Sequence, residues 1–190
     1  MNAIEKWFCG SALWRYITRQ QLLPRALQGS ELGEHVLELG AGLGATTLEL
    51  TRRAGRVTRL EYDHAFAARL GATIQPSSVR IIQSDAAALP FADRTFSSAI
   101  AILMLHHLKS RALQDRAFRE IHRVLRPGGV FLAVEIPDSW INRVIHIKST
   151  FVPLSPESAS ARLKAAGFSS VTVDSRSGGL RYRAARSQES

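Results

Sequence analysis

The 190-residue sequence predicts an α/β domain. A mostly parallel sheet of about seven strands forms the middle of three layers, and an antiparallel hairpin closes its C-terminal side. Three observations predict it. Short apolar runs of strand length alternate with stretches of helical length from His35 to Glu135, the pattern of parallel strands joined by crossover helices. Glycines follow the strand runs instead of interrupting them, and acids stand at or just beyond the strand ends. The last two apolar runs, Ser169 to Val173 and Leu180 to Ala184, have only a turn at Gly178-Gly179 between them, which suits a hairpin.

The elements follow in order. From Asn2 to Leu27, Ile4, Phe8, Leu13, Ile17, Leu22 and Leu23 fall at loosely helical spacing, which predicts one or two helices with a break at Pro24. His35 to Leu39 reads as a strand ending in glycines, and Thr46 to Arg53 as a helix. Arg56 to Glu61 is a second strand, His64 to Ile74 a helix, and Val79 to Gln83 a third strand. Ser97 to Met104 is apolar enough to be covered on both faces. Ser110 can cap the next helix, on which Leu113, Ala117, Ile121, Val124 and Leu125 share a face and His122 points outward. Pro127-Gly128-Gly129 ends that helix before a fifth strand, Val130 to Glu135. Ser155-Pro156-Glu157 has a cap residue followed by proline, a helix start, and Gly167 ends that helix.

Composition narrows the class. Hydrophobic residues make up 45% and charged residues 22% of the chain, the balance of a globular protein. The reading is a single domain over residues 1–190, with residues 1–30 a helical segment that could act as a lid. The single cysteine, Cys9, suits a reducing cytoplasm and allows no disulfide within one chain. No secretory signal is evident, and the longest uncharged run, between Arg94 and Lys109, is too short to cross a bilayer. The net charge of +9 fits either an Arg-rich solvated surface or an anionic partner such as nucleic acid.

The chemistry is concentrated in the segment Val36-Leu37-Glu38-Leu39-Gly40-Ala41-Gly42-Leu43-Gly44. Alternate glycines after a strand allow a sharp turn and a close approach of backbone to a ligand. Gly40, Gly42 and Ala45 also satisfy a dinucleotide fingerprint, with Glu61 in the expected acidic place. Charge separates the two cofactors. A dinucleotide sets its pyrophosphate against such a loop, where Glu38 would repel it. S-adenosylmethionine (SAM) presents sulfonium and ammonium groups, which a carboxylate favours.

With these residues the sequence resembles the class I SAM-dependent methyltransferases of Rossmann-like fold, in particular the small-molecule branch similar to ubiquinone and menaquinone methyltransferases. The resemblance runs from about Val36 to Val134. It implies SAM as cofactor and a binding set of Glu38, Gly40, Ala41, Gly42, Glu61, Tyr62, Asp85, Ala86 and Leu103. In that set Glu61 would take both ribose hydroxyls, Tyr62 would pack on adenine, and Asp85-Ala86 would read the adenine edge. Arg126-Pro127-Gly128-Gly129 is also typical. The sequence departs from the family in having Glu61 where Asp is commoner, and Ser97 where the fourth strand often begins with Asp.

The loop Leu105-His106-His107-Leu108 should border the methyl group. There His106 and His107 are candidates for a general base or for shaping the pocket. No Asn/Asp-Pro-Pro-aromatic motif follows the fourth strand, no cysteine lies near the expected site, and no His/Cys cluster has metal-ligand spacing along the chain. Trp7, Phe8, Trp14 and Tyr16 make the N-terminal segment a lid, a permanently packed helix or an amphipathic anchor on a membrane surface. The leading reading is therefore an enzyme methylating a small or lipid-like acceptor. An RNA methyltransferase, suggested by charge, and a SAM-binding protein without turnover are the alternatives, with a nicotinamide dehydrogenase as a residual.

Overall fold

A computed structural model describes residues 3–73, 78–175 and 179–189. β1 (His35–Leu39), β2 (Arg56–Glu61), β3 (Val79–Gln83), β4 (Phe96–Ile102), β5 (Leu125–Glu135), β6 (Ser170–Asp174) and β7 (Leu180–Ala185) form one sheet in the order β3-β2-β1-β4-β5-β7-β6. β1 to β5 pair in parallel, while β7 runs antiparallel to both β5 and β6. The chain order reverses at β1, between β2 and β4, so the strand ends there flank a crevice, the usual ligand position in such sheets.

Alternation along the strands divides the core in two. Val36, Ile100 and Leu132 share one cluster with Leu23, Leu27 and Leu50. These last come from α3 (Leu23–Leu27) and α4 (Thr47–Thr51). Leu37, Ala99 and Phe131 point the other way, against Phe118 and Ile121 of α6 (Arg111–Val124) and Leu163 of α8 (Pro156–Ala165). Ser110 and Ser155 cap α6 and α8 as expected, their Oγ atoms accepting from the N–H groups of Leu113 and Ser158. Ser97 takes over a backbone duty at the β1 entrance. Its hydroxyl donates to the Leu32 or His35 carbonyl and accepts from the His35 N–H.

Four expectations are corrected. Pro24 does not break the N-terminal helix. α1 (Ala3–Cys9) is followed by α2 (Ala12–Ile17), a π-helical turn (Thr18–Leu22) and α3, the last three without interruption. The wider turn lets proline sit in the first turn of α3, where its missing N–H costs little. β4 stops at Ile102, not Met104, because Leu103 takes a positive φ of 51°. Arg126 to Gly129 lies within β5, not between helix and strand. It is paired through a register irregularity opposite Phe96–Ser98 and tied to the C-terminus by Gly128 N–H to Ser187 O. His122 is half-buried, its ring edge-on to Phe168 at 5.2 Å. The remaining two helices are α5 (His64–Thr73) and α7 (Trp140–Ile145). Ile74 and Gly178, named above for a helix end and a turn, lie outside the described residues. No described helix is long and apolar enough to cross a membrane.

Candidate active site

At the carboxyl ends of β1, β2 and β4 lies a cleft of about 880 Å³, bordered by Glu38, Gly40–Gly42, Glu61, Tyr62, Asp85, Ala86 and Leu103. All nine residues of the expected cofactor set therefore meet at one cavity.

The glycine loop is held from beneath. The Gly40 and Ala41 N–H groups donate to the Leu60 carbonyl at 2.9 and 3.2 Å. Gly40 has φ +66°, and a Cβ there would stand 2.2 Å from Cγ of Met104, so the first glycine is required by packing. Gly42 has φ +52°, and a Cβ there would meet nothing within 4 Å; it would project into open space in the residue that borders the cleft. The Gly42 N–H donates to Glu61 Oε2 at 2.8 Å, and Asp63 N–H donates to Glu61 Oε1 at 2.9 Å. Each carboxylate oxygen keeps a second lone pair, so a buried Glu61 is fixed in place and still able to accept from a diol.

Glu38 has a different setting from the one its position suggests. Its carboxylate accepts from the Thr46 and Thr47 hydroxyls and lies 3.2 Å from Arg59 Nε, both charged side chains being almost fully buried. The lone negative charge used above to choose between cofactors is thus part of an ion pair. Burial pulls the Arg59 guanidinium below its ordinary pKa, while Glu38 and Glu61 act in the opposite direction. Arg59 Nη2 also reaches the Ala41 carbonyl at 3.4 Å, so the pair braces the loop. The buried Arg59 Nε and Nη1 have no hydrogen-bond acceptor of good geometry among the described residues. Asp85 turns one oxygen to the Ala87 N–H at 2.8 Å, which sets its carboxylate at the cleft wall, and Tyr62 stands exposed at the rim.

The turn after β4 is organised by Glu135, the last residue of β5. One carboxylate oxygen accepts from the N–H groups of Met104 (3.0 Å) and Leu105 (2.6 Å), and the other faces His106 Nδ1 at 2.5 Å. These bonds shape a short 3₁₀ turn, Leu105–His107. Gln114 on α6 ties the turn to the returning chain, donating to the Leu105 and Val152 carbonyls. Of the two candidate histidines, His106 is buried behind the wall and His107 borders the cleft. Burial first, then His106 and His146, push the His107 pKa down to about 3. A neutral imidazole of that kind shapes a pocket but is a weak general base near neutral pH. The same return of chain brings in His146, which the spacing along the sequence did not suggest. The potential ligand atoms of His106, His107 and His146 lie within 4.8 Å of one another.

The N-terminal segment reaches the site. Cys9, Trp14 and Thr18 border the cleft, which corrects the expectation that no cysteine lies near the site: the N-terminal helices bring Cys9 to the cleft from far away in the sequence. Trp7, Leu13 and Tyr16 face outward. Phe8 and Trp14 pack with ring centroids 5.2 Å apart. Arg59, Thr46, Thr47, Glu135 and His146 were not singled out from the sequence. A charge in the interior of an apolar strand, as at Arg59, and an acid ending a strand, as at Glu135, are the signals that could have found two of them.

Comparison with known proteins agrees with this architecture. The demethylmenaquinone methyltransferase of Corynebacterium kroppenstedtii is 33% identical over 117 residues, 62% of this chain and 45% of that protein. A sterol 4-C-methyltransferase of Caenorhabditis elegans is 30% identical over 115 residues, 56% of this chain and 33% of that one. The chain thus spans about half the length, or less, of these curated relatives. Among solved structures, a SAM-dependent methyltransferase from Mesorhizobium loti has a TM-score of 0.72 at 18% identity, covering 93% of this chain and 99% of that one. A Haemonchus contortus phosphoethanolamine N-methyltransferase, solved with SAM, has a TM-score of 0.76 at 15% identity over 94% of this chain and 53% of that one. At such identities the structures show the fold. The family described as the methyltransferase domain matches residues 37–133, which hold the glycine loop, Glu38, Glu61 and Asp85 of the cleft and β2 to β4, and the chain belongs to that family.

Proposed function

We propose that this chain is a SAM-dependent methyltransferase acting on a small or lipid-like acceptor. One observation carries the reading: Glu38 with the adjoining Gly40–Gly42 loop, and Glu61 and Asp85 from two further segments, line one cleft, with open space over Gly42. SAM supplies an already activated methyl group on its sulfonium. Glu61 is the group to hold the ribose diol, since its two oxygens are fixed by Gly42 and Asp63 with lone pairs to spare. Asp85 and the Ala86 backbone would hold adenine, and the Glu38–Arg59 pair keeps the loop in shape. With the methyl group already activated, positioning and exclusion of water are the remaining tasks of the protein.

The acceptor class rests on apolar surface. Trp14, Met104, Leu108 and Leu113 border the cleft. Outside it, Trp7, Leu13 and Tyr16 of the N-terminal helices and Trp140, Ile141, Val144 and Ile145 of α7 are exposed. α1 and the end of α7 adjoin, with Glu5 Oε1 4.0 Å from His146 Nε2. Exposed apolar groups gathered on adjoining elements mark interaction sites, and the relatives named for demethylmenaquinone and sterol act on apolar molecules by those names. A cytoplasmic location, suited to the unpaired Cys9, is part of the proposal.

The test is calorimetric titration with S-adenosylhomocysteine, followed by transfer of labelled methyl from SAM to quinol, sterol and RNA acceptors. Glu61→Ala should weaken S-adenosylhomocysteine by roughly tenfold to a hundredfold, the loss of charge-assisted bonds of about 1.5–3 kcal/mol. An unchanged affinity in the folded variant removes Glu61 from the site. Salt-sensitive transfer to RNA alone would replace the acceptor class, and tight binding with no transfer to any acceptor would indicate a SAM-binding protein without turnover.

A further inference from the structure

Three imidazoles meet at the wall of the cleft, and each has its Nδ1 turned to an acceptor. His106 Nδ1 faces the Glu135 carboxylate at 2.5 Å, His107 Nδ1 the Thr150 carbonyl at 3.3 Å, and His146 Nδ1 the Asn142 carbonyl at 2.6 Å. An Nδ1 that donates leaves the neutral ring with its lone pair on Nε2. Histidine ligands of metal ions are oriented in this way, by a carboxylate or backbone carbonyl behind the ring that fixes the tautomer and raises ligand basicity. Mutual stacking alone would not require an acceptor behind every ring.

We propose that His106, His107 and His146 bind a divalent transition metal ion, with Glu5 as the fourth ligand. The Glu5 carboxylate is buried and its Oε1 lies 4.0 Å from His146 Nε2, outside the group that the three rings form, so it would close on the ion by a shift of α1. Three imidazoles and one carboxylate form a donor set suited to zinc, which takes four ligands in a tetrahedron. One ring nitrogen, Nδ1 or Nε2, of each histidine lies within 4.8 Å of one from each of the others, against about 3.3 Å between nitrogens in a tetrahedral zinc site with bonds near 2.0–2.1 Å. Small ring rotations and a shift of the turn supply that closure. His106 and His146 are buried and His107 borders the cleft, so the ion would sit in the cleft wall and clasp α1 to the turn after β4 and to the end of α7. The N-terminal segment that carries Cys9 and Trp14 to the cleft would then be held there by the metal.

The experiment uses the full chain with any affinity tag removed, stripped with chelator and titrated with Co²⁺ and then Zn²⁺. One equivalent of Co²⁺ should give visible absorption bands of tetrahedral strength, which Zn²⁺ displaces. Metal should also protect the N-terminal segment from limited proteolysis. His146→Ala and Glu5→Gln should each weaken metal binding at least tenfold, and Glu135→Gln, which acts only through His106, about tenfold to a hundredfold. S-adenosylhomocysteine affinity should be unchanged in His146→Ala, which shows that the variant is folded and separates this proposal from the cofactor reading. If His146→Ala does not fold, His107→Asn serves in its place, with metal affinity and melting temperature read on the same sample. No metal bound by the stripped protein at micromolar concentration, or equal affinity in the His107→Asn/His146→Ala double variant, overturns the proposal and leaves the three rings as a packed aromatic cluster.

Discussion

Replacing Glu135 by Gln keeps the volume of the side chain and removes its charge, so it isolates what that carboxylate does for the cleft wall. Three donors converge on it: the N–H groups of Met104 and Leu105 and Nδ1 of His106, and the residue is 1% exposed. Hydrogen bonds to a charged group contribute about 1.5–3 kcal/mol each, against about 0.5–1.5 for neutral ones. Losing charge assistance on three bonds therefore costs about 3 kcal/mol, from which relief of burying a charge takes back about 1. The amide oxygen can keep the two backbone donors. Its NH₂ then faces His106 Nδ1, which must become an acceptor and move its proton to Nε2. A net cost of about 2 kcal/mol in a chain of this size lowers Tm by about 4–8 °C, with an unchanged urea m-value. Glu135→Ala, which leaves two buried N–H groups without an acceptor, should cost about twice as much. Thermal and urea unfolding measure the cost, and ¹⁵N chemical shifts of the imidazoles report the tautomer. A Tm shift below about 1 °C in Glu135→Gln, or His106 retaining its proton on Nδ1, would refute the assignment of Glu135 as organiser of the turn.

The two glycines of the loop should separate folding from binding. Gly40→Ala places Cβ against Met104 at a left-handed φ and should destabilise by about 2–4 kcal/mol, read by denaturation. Gly42→Val, with nothing within 4 Å of its Cβ but a left-handed φ of +52°, should lose some stability to backbone strain, still fold, and lose S-adenosylhomocysteine binding; normal binding would put the cofactor elsewhere. Trp14→Ala should lower acceptor affinity more than S-adenosylhomocysteine affinity, since Trp14 comes from the N-terminal segment and not from the glycine loop proposed to hold the cofactor; equal losses in both titrations would count against a covering role. Burial first, and Glu5 second, push the Cys9 thiol up to about 11. At pH 8 its alkylation by iodoacetamide should therefore be roughly a hundredfold slower than that of the unfolded chain, and equal rates would show that Cys9 is exposed.

Features that act over a few residues are legible in the order of amino acids. A strand needs a run of apolar side chains, a cap needs a short hydroxyl followed by helix, and a tight turn that meets a ligand needs glycine. Each leaves its mark at the position where it acts. Hence the strands from His35 to Gln83, the caps at Ser110 and Ser155, the C-terminal antiparallel pair and the glycine turn after β1 can be read from the sequence alone, while the set from Glu38 to Leu103 comes from family resemblance and the structure brings it to one cleft. The π-turn before Pro24 and the bulged pairing at Arg126 to Gly129 cannot, because local preference there yields to the packing of α3 on the sheet and to the pairing of β5 with β4. Which charges meet is settled only in three dimensions. Glu38 and Arg59 sit on neighbouring strands in register, so the acid that looked like a lone partner for a cation is half of a buried ion pair. Glu135 reaches the β4 turn because β4 and β5 are adjacent in the sheet, and His146 reaches His106 because the chain beyond α7 returns along the same turn. Contacts of this kind depend on strand order and crossover paths, which follow from burying two faces of the sheet at once, and no spacing along the chain records them.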